Sequence, residues 1–155
     1  MAYHCLIGSQ GVGIRRVAAG AAFPHRLLPR SKGGLFAWDT VGAFSAVILV
    51  EGLFDLAVLW QAGFRNTTSA IGTHLTPAQW SQLCDQPGRC VYIAFDHDAN
   101  QAGQQASRRL AHRLQAAGLR ARLLKLPPGH DPNSYFVAGA TAADFRACLE
   151  QAESL

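Results

Sequence analysis

Residues 46–50 read AVILV, a run in which every side chain is apolar. A strand that packs on one face only alternates apolar and polar residues, whereas a strand covered on both faces is apolar throughout. The run is also shorter than a typical buried helix, and Glu51 and Gly52 end it abruptly. It therefore predicts a strand in the middle of a sheet that has helices on both sides.

The same alternation of short apolar runs and helical segments continues along the chain. Further strands are predicted at 67–71, 91–95 and 120–126. Helices are predicted after Gly52, from Thr76 with Pro77 and Gln79 in its first turn, at about 102–117 with Gly118 at its end, and from Thr141. Strands that alternate with helices predict an α/β fold with a central, mostly parallel four-stranded sheet.

The first 45 residues have a different composition from the rest. Residues 1–28 are rich in glycine and arginine and show little periodicity, so we expect a poorly defined, flexible amino-terminal segment. Residues 29–45 lead into the α/β domain, which is predicted to span 46–152. A chain of 155 residues is long enough for one domain with a proper core.

Charge, cysteine content and the distribution of apolar residues favour a cytoplasmic protein over a secreted or a membrane-spanning one. The formal net charge of +4 fits a polyanionic partner without establishing one. The four cysteines show no CxxC pair and no histidine partner at zinc spacing, which indicates reduced thiols in a cytoplasmic protein. Residues 1–10 do not have the pattern of a signal peptide. The apolar stretch 41–64 carries Glu51 and Asp55 at its centre, which argues against a membrane span.

Half of the acidic residues lie near the ends of predicted strands or in the turns that follow them. Five of the 10 have this placement: Glu51, Asp55, Asp96, Asp98 and Asp131. Parallel strands end at a common edge of the sheet, where α/β proteins bind their ligands. Because crowded carboxylates repel one another and a divalent cation relieves the repulsion, the pattern predicts a Mg²⁺ or Mn²⁺ site. Such a cation can bridge to phosphate and activate an oxygen nucleophile.

Each part of this acidic group also has a simpler interpretation. Glu51 and Asp55 can be acids that favour a helix start, the pair at 96 and 98 can cap a turn, and Asp131 before Pro132 is typical of a turn. Their joint placement at one sheet edge favours the metal site. Gly52 and Gly103 are expected to allow a sharp turn and a close helix start beside the ligand.

The basic residues are also unevenly distributed. Arg108, Arg109 and Arg113 lie in a stretch without acids, on a predicted helix. This face either follows the phosphates of a nucleic acid or is merely solvated, and the sequence leaves both interpretations open.

Three stretches, VEGLFDLAVLWQAG, AFDHDANQAG and LPPGHDPNSYF, resemble in order and spacing the TOPRIM domain of DnaG-type bacterial primases and their plasmid, phage and integrative-element relatives. The resemblance covers about residues 29–150.

This resemblance implies a TOPRIM fold. It assigns catalysis to Glu51, Asp96 and Asp98, which would bind the metal together with Asp55 and Asp131. It also implies that Lys32, with Arg30 beside it, contacts nucleotide or nucleic acid. The sequence departs from the primase pattern at 99–102, a longer gap before Gly103, and at Asn133, where many primases have aspartate.

The resemblance implies a magnesium-dependent nucleotidyltransferase that makes RNA primers on single-stranded DNA from nucleoside triphosphates. Its further partners would be a helicase or other primase domains, in the bacterial cytoplasm, with no role for a membrane. Two alternatives remain open: a TOPRIM metal-dependent nuclease, and an inert metal- and nucleotide-binding fragment that needs a partner.

Overall fold

The computed structural model describes residues 2–7, 10–16, 25–27, 33–95 and 102–155, with side chains from 33 to 95 and from 103 onward. The first three ranges contain strands β1 (Ala2–Ile7), β2 (Gln10–Arg16) and β3 (His25–Leu27) of an antiparallel sheet. Regular strands therefore lie where the sequence indicated a flexible start. A signal for them exists: Ile7 pairs with Gln10, and the two residues between are Gly-Ser, a dipeptide typical of hairpins.

The second sheet carries the α/β architecture. Its strands are β4 (Ala46–Val50), β5 (Thr67–Ser69), β6 (Cys90–Ala94), β7 (Arg120–Leu123) and β8 (Glu153–Ser154). They are arranged in the order β5-β4-β6-β7-β8, and the first four are parallel. The four predicted strands and the α/β class are confirmed. The described part adds β8, an antiparallel strand of two residues, which is too short to leave a pattern in the sequence.

Six helices occur in the described residues: α1 (Trp38–Val41), α2 (Leu53–Gln61), α3 (Pro77–Leu83), α4 (Ala102–Ala116), α5 (Pro132–Val137) and α6 (Ala142–Glu150). The start of α3 follows the predicted capping box. The Thr76 hydroxyl accepts the Gln79 N–H at 3.2 Å, and the Gln79 amide oxygen accepts the Thr76 N–H at 2.9 Å. Gly118, just beyond α4, has a φ of +82°, which suits the glycine expected at a helix end.

The sheet is buried on both faces, as the run 46–50 predicts. Val47 and Leu49 pack in one apolar cluster with residues of α3 and α4, and Ile48 and Val50 pack in another with residues of α2 and α6. Fully burying each of these side chains contributes roughly 1.5–3 kcal/mol. This packing makes the strands a rigid base for the residues that follow them.

The apolar stretch 41–64 resolves into the end of α1, then β4 and α2. In the described part of the chain, no helix is both long enough and apolar enough to cross a membrane.

Candidate active site

The candidate site lies beyond two neighbouring strands whose following helices cross opposite faces of the sheet. Helix α2 joins β4 to β5 across one face of the sheet, and α4 joins β6 to β7 across the other. Strands β4 and β6 are neighbours, and the region beyond the carboxyl ends of two such strands is where open α/β sheets bind their ligands. Val50 pairs with Ala94, which brings Glu51 beside Phe95. Asp96 and Asp98 follow Phe95 closely in sequence but lie outside the described residues.

The backbone at Glu51 is held from several sides, while its side chain is partly exposed. The Glu51 carbonyl accepts the Ser69 hydroxyl and the Gly72 N–H, each at 3.0 Å. The next peptide N–H, of Gly52, donates to Asp55 Oδ2 at 3.1 Å. The peptide unit between residues 51 and 52 therefore makes hydrogen bonds through both its carbonyl oxygen and its N–H. Ser69 and Gly72 were not predicted from the sequence, because a serine that ends a short strand and a glycine in the following loop have no distinctive spacing.

Gly52 has a role that differs from the expected one. Its φ of −104° is open to any residue, so the turn itself does not require glycine. A Cβ at this position would lie 2.8 Å from Asp55 Oδ2. Glycine is needed here because it leaves room for the carboxylate that caps α2.

Asp55 is 5% exposed and joins two helices. Its Oδ2 accepts the Gly52 N–H at the start of α2, and its Oδ1 accepts the Asn133 N–H in the first turn of α5 at 3.1 Å. Both carboxylate oxygens thus hold backbone amides. The structure gives Asp55 this bridging position, and its predicted role as a metal ligand stays a prediction.

Asp131 is the N-cap of α5. Its carboxylate accepts the Ser134 N–H, and the Ser134 hydroxyl accepts the Asp131 N–H at 3.0 Å. Pro132 occupies the first helical position, where a missing N–H costs nothing. The sequence DPNS carries this capping signal. Asp131 was predicted as a metal ligand, with a turn as the simpler alternative, and its role as a ligand stays a prediction. Through Asn133, α5 is tied to Asp55, so two of the three sequence motifs meet in space.

Among residues 33–95 and 103–155, no group of three histidine, cysteine or carboxylate side chains could hold a metal ion. Glu51, Asp55 and Asp131 are therefore not a metal site by themselves. The predicted site depends on Asp96 and Asp98, beyond the described residues. The oxygen donors of Glu51 and the two aspartates match the preference of Mg²⁺ and Mn²⁺. The β4–β6 pairing places Glu51 beside Phe95, the residue before Asp96 in the sequence.

The basic residues of α4 lie on its solvent side. Arg108, Arg109 and Arg113 are exposed, and Gly103, the second residue of α4, is buried. The Arg113 guanidinium lies 4.6 Å from the centre of the Trp80 ring, which links α4 to α3. Arg108 lines a shallow cleft that also includes Phe95.

The rim of this cleft carries an ion pair. Lys125 Nζ lies 2.5 Å from a Glu153 carboxylate oxygen, and both side chains line the cleft. The hydrogen bond from Lys125 lowers the pKa of Glu153. The cleft therefore presents two cations, Arg108 and Lys125, and one anion beside the strand that leads to Asp96.

The lead-in segment is bound to the edge of the sheet. Phe36 N–H donates to the Ser69 carbonyl at 3.2 Å, and the Thr68 hydroxyl donates to the Phe36 carbonyl at 2.7 Å. The buried Gln79 side chain donates to the Gly34 carbonyl at 3.2 Å. Arg30 and Lys32 lie outside the described residues, just before this anchored segment.

Comparison with known proteins agrees with this geometry. Residues 48–136 match the Toprim-like family. The chain is 40% identical over 91 residues to the DNA primase of Chlamydia trachomatis, an alignment covering 59% of this chain and 15% of that protein. It is 39% identical over 88 residues to the DNA primase of Aquifex aeolicus, covering 57% of this chain and 17% of that protein. The chain thus spans less than a fifth of either primase.

Solved primase structures share the fold. The Aquifex aeolicus primase, comprising zinc-binding and RNA polymerase domains, superposes with a TM-score of 0.76 at 29% identity, covering 93% of this chain and 37% of that one. The E. coli primase catalytic core gives 0.74 at 25% identity, covering 93% and 49%. Because the family match extends over more than half of the chain, this protein belongs to the Toprim-like family.

Proposed function

We propose that this chain is the metal-dependent TOPRIM part of a DnaG-like primase, which joins ribonucleotides into a primer on single-stranded DNA in the bacterial cytoplasm. The observation that carries the proposal is the pairing of Val50 with Ala94. It brings Glu51 to the strand end from which Asp96 and Asp98 follow. Identity of 40% to a DNA primase over 91 residues supports the reaction class.

Glu51, Asp96 and Asp98 would hold Mg²⁺ or Mn²⁺ in this proposal. When bound, such an ion lowers the pKa of a primer hydroxyl and stabilises the charge that develops on a triphosphate. The carboxylate of Glu51 is suited either to hold the ion or to accept the proton of the hydroxyl. Asp55 and Asp131 cap the starts of α2 and α5, and their participation as ligands is a further part of the proposal.

The exposed arginines of α4 would bind the phosphates of the template or the primer. Arg108 lines the same cleft as Phe95, the residue that follows β6. Arg109 and Arg113 are also exposed on this helix and lie about one turn apart. Because phosphate contacts release counterions, binding through this face would weaken steeply with salt. Lys32 and Arg30 would contact nucleotide from the end of the anchored lead-in.

A partner-dependent version of this function is favoured by one observation. The chain covers only 15% and 17% of two related primases, so other parts of such a protein would supply template binding and contacts to a helicase. In that case the chain binds metal and nucleotide alone and synthesises primers only when those parts are added.

The test is primer synthesis from labelled nucleoside triphosphates on single-stranded DNA with Mg²⁺ or Mn²⁺. The chain is assayed alone and with the remaining domains of a related primase added. Product should fall by on the order of 100-fold or more in Glu51→Gln and Asp96→Asn. Asp39→Asn, which changes an exposed acid on α1, is the matched control and should keep full activity. Synthesis unaltered by Asp96→Asn would show that this site does not perform the reaction.

A further inference from the structure

Ser69, the last residue of β5, has a fully buried side chain that makes two hydrogen bonds. Its hydroxyl donates to the carbonyl of Glu51 at 3.0 Å and accepts the N–H of Ile71 at 3.1 Å. The serine is therefore placed between the backbone of the proposed catalytic glutamate and the loop that follows β5.

That loop has a backbone conformation that must be held in place. Ile71 has a φ of +56°, and a β-branched residue in the left-handed region is an outlier. Gly72, with a φ of +114°, turns the chain so that its N–H donates to the same Glu51 carbonyl at 3.0 Å. The hydroxyl of Ser69 supports the N–H of Ile71 and so stabilises the turn that delivers the second donor.

The Ser69 hydroxyl and the Gly72 N–H both hydrogen-bond to the peptide unit that follows Glu51. The peptide unit after Glu51 sets the direction in which its side chain leaves the backbone. Its oxygen is held by Ser69 and Gly72, and its N–H by Asp55 Oδ2 at 3.1 Å. Strained backbone that the surrounding structure holds fixed is typical of functional sites, where it preorganises reacting groups.

We propose that Ser69 is a positioning residue for Glu51, acting through the Glu51 carbonyl and the loop at 69–72. The proposal rests on the function proposed above, because it assumes that Glu51 binds the divalent ion. Residues that orient metal ligands without touching the metal change metal affinity by about 10- to 100-fold when they are removed.

The experiment measures Mn²⁺ affinity by titration calorimetry and the unfolding midpoint of the same samples. Ser69→Ala removes both hydrogen bonds, and Ser69→Cys keeps the shape while supplying only a weak donor. Thr67→Val is the matched control: Thr67 is fully buried on the same strand, and its hydroxyl donates to the Phe64 carbonyl at 2.8 Å, away from Glu51. Glu51→Gln reports on the metal site itself.

We expect Ser69→Ala to weaken Mn²⁺ binding by about 10-fold or more, Ser69→Cys to weaken it less, and Thr67→Val to leave it unchanged despite a similar loss of stability. Equal affinity in Ser69→Ala, Ser69→Cys and the unaltered chain, with binding lost in Glu51→Gln, would overturn the role of Ser69 and leave the proposed function standing. No Mn²⁺ binding in the unaltered chain, or full binding in Glu51→Gln, would overturn the metal site at Glu51 and the role of Ser69 with it.

Discussion

The two ends of the central sheet use charge in different ways. At the amino end, Arg89 precedes β6 directly and is 1% exposed. Its guanidinium lies 4.8 Å from the Trp38 ring centre, and it donates to four backbone carbonyls and to Asp85 and Gln86. At the carboxyl end, Glu51 directly follows β4, and its side chain is partly exposed.

The difference shows how a structural charge can be told from a functional one. The donors of Arg89 all point to fixed partners in the chain, so the residue joins α1, α3 and β6 and presents nothing to a ligand. At Glu51, fixed partners hold the main chain on both sides of the peptide bond, and the partly exposed carboxylate is carried on that backbone. A group that is to bind a ligand has to be held in its productive geometry by supporting contacts, and at Glu51 the contacts described above act on the backbone.

The largest loss of stability should follow from removing Arg89. Arg89→Met leaves buried carbonyls without donors and Asp85 without its cation, so we expect a loss of about 3–5 kcal/mol in the free energy of unfolding. The measurement is urea denaturation. Arg65→Met is the matched control, because Arg65 also stacks on a tryptophan, Trp60, but is exposed. It should cost less than about 1 kcal/mol. Equal losses in the two variants would remove the distinction drawn between the sheet ends.

Asp55 should have the next largest effect, at the carboxyl end. Asp55→Ala leaves the N–H groups of Gly52 and Asn133 without their acceptor, which should cost about 2–4 kcal/mol. Asp55→Asn keeps one acceptor oxygen and should cost roughly half as much. Urea denaturation of both variants gives the comparison. Identical losses for alanine and asparagine would show that the two hydrogen bonds do not explain the burial of this carboxylate.

The smallest effect should come from Asp144, an exposed acid at neither end. The Thr141 hydroxyl and N–H donate to its carboxylate and lower its pKa. A lowered pKa in the folded state means that the stabilisation is present above about pH 3.9, the usual value, and is lost as the pH falls through the folded pKa. The melting temperature of Asp144→Asn should therefore lie below that of the unaltered chain at pH 7, and the gap should close as the pH falls through the lowered pKa of Asp144. A gap of constant size would contradict this role.

Much of the fold follows from local patterns. The run 46–50, the capping box at Thr76 and the glycine after α4 each act within a few residues, so periodicity and helix-end chemistry predict them. Strand β8 was not predicted, because two residues are too few to show the alternation of apolar and polar side chains that marks a strand. Strands β1 to β3 were not predicted, because the high glycine content of this segment suggested a flexible chain and obscured the Gly-Ser hairpin signal at 8–9.

The site could be predicted only in part. Parallel strands end at one edge of a sheet, so the sequence could predict that Glu51 lies at the same edge as the end of β6. The capping contacts of Asp55 and Asp131 act within three residues, so the sequence carries a local signal for them. The contact between Asp55 and Asn133 joins residues 78 apart in the chain and depends on how α2 and α5 pack, which a sequence does not state. Ser69 was missed for the same reason, since its acceptor is 18 residues away in the chain.

The central claim is that Glu51, Asp96 and Asp98 form one divalent-metal site at the end of β4 and β6. Mn²⁺ titration calorimetry on the unaltered chain and on the Asp96→Asn, Asp98→Asn double variant tests it most directly, with Asp39→Asn as the control. We predict saturable binding to the chain and to the control, and its loss in the double variant. Equal binding in all three proteins would contradict the claim.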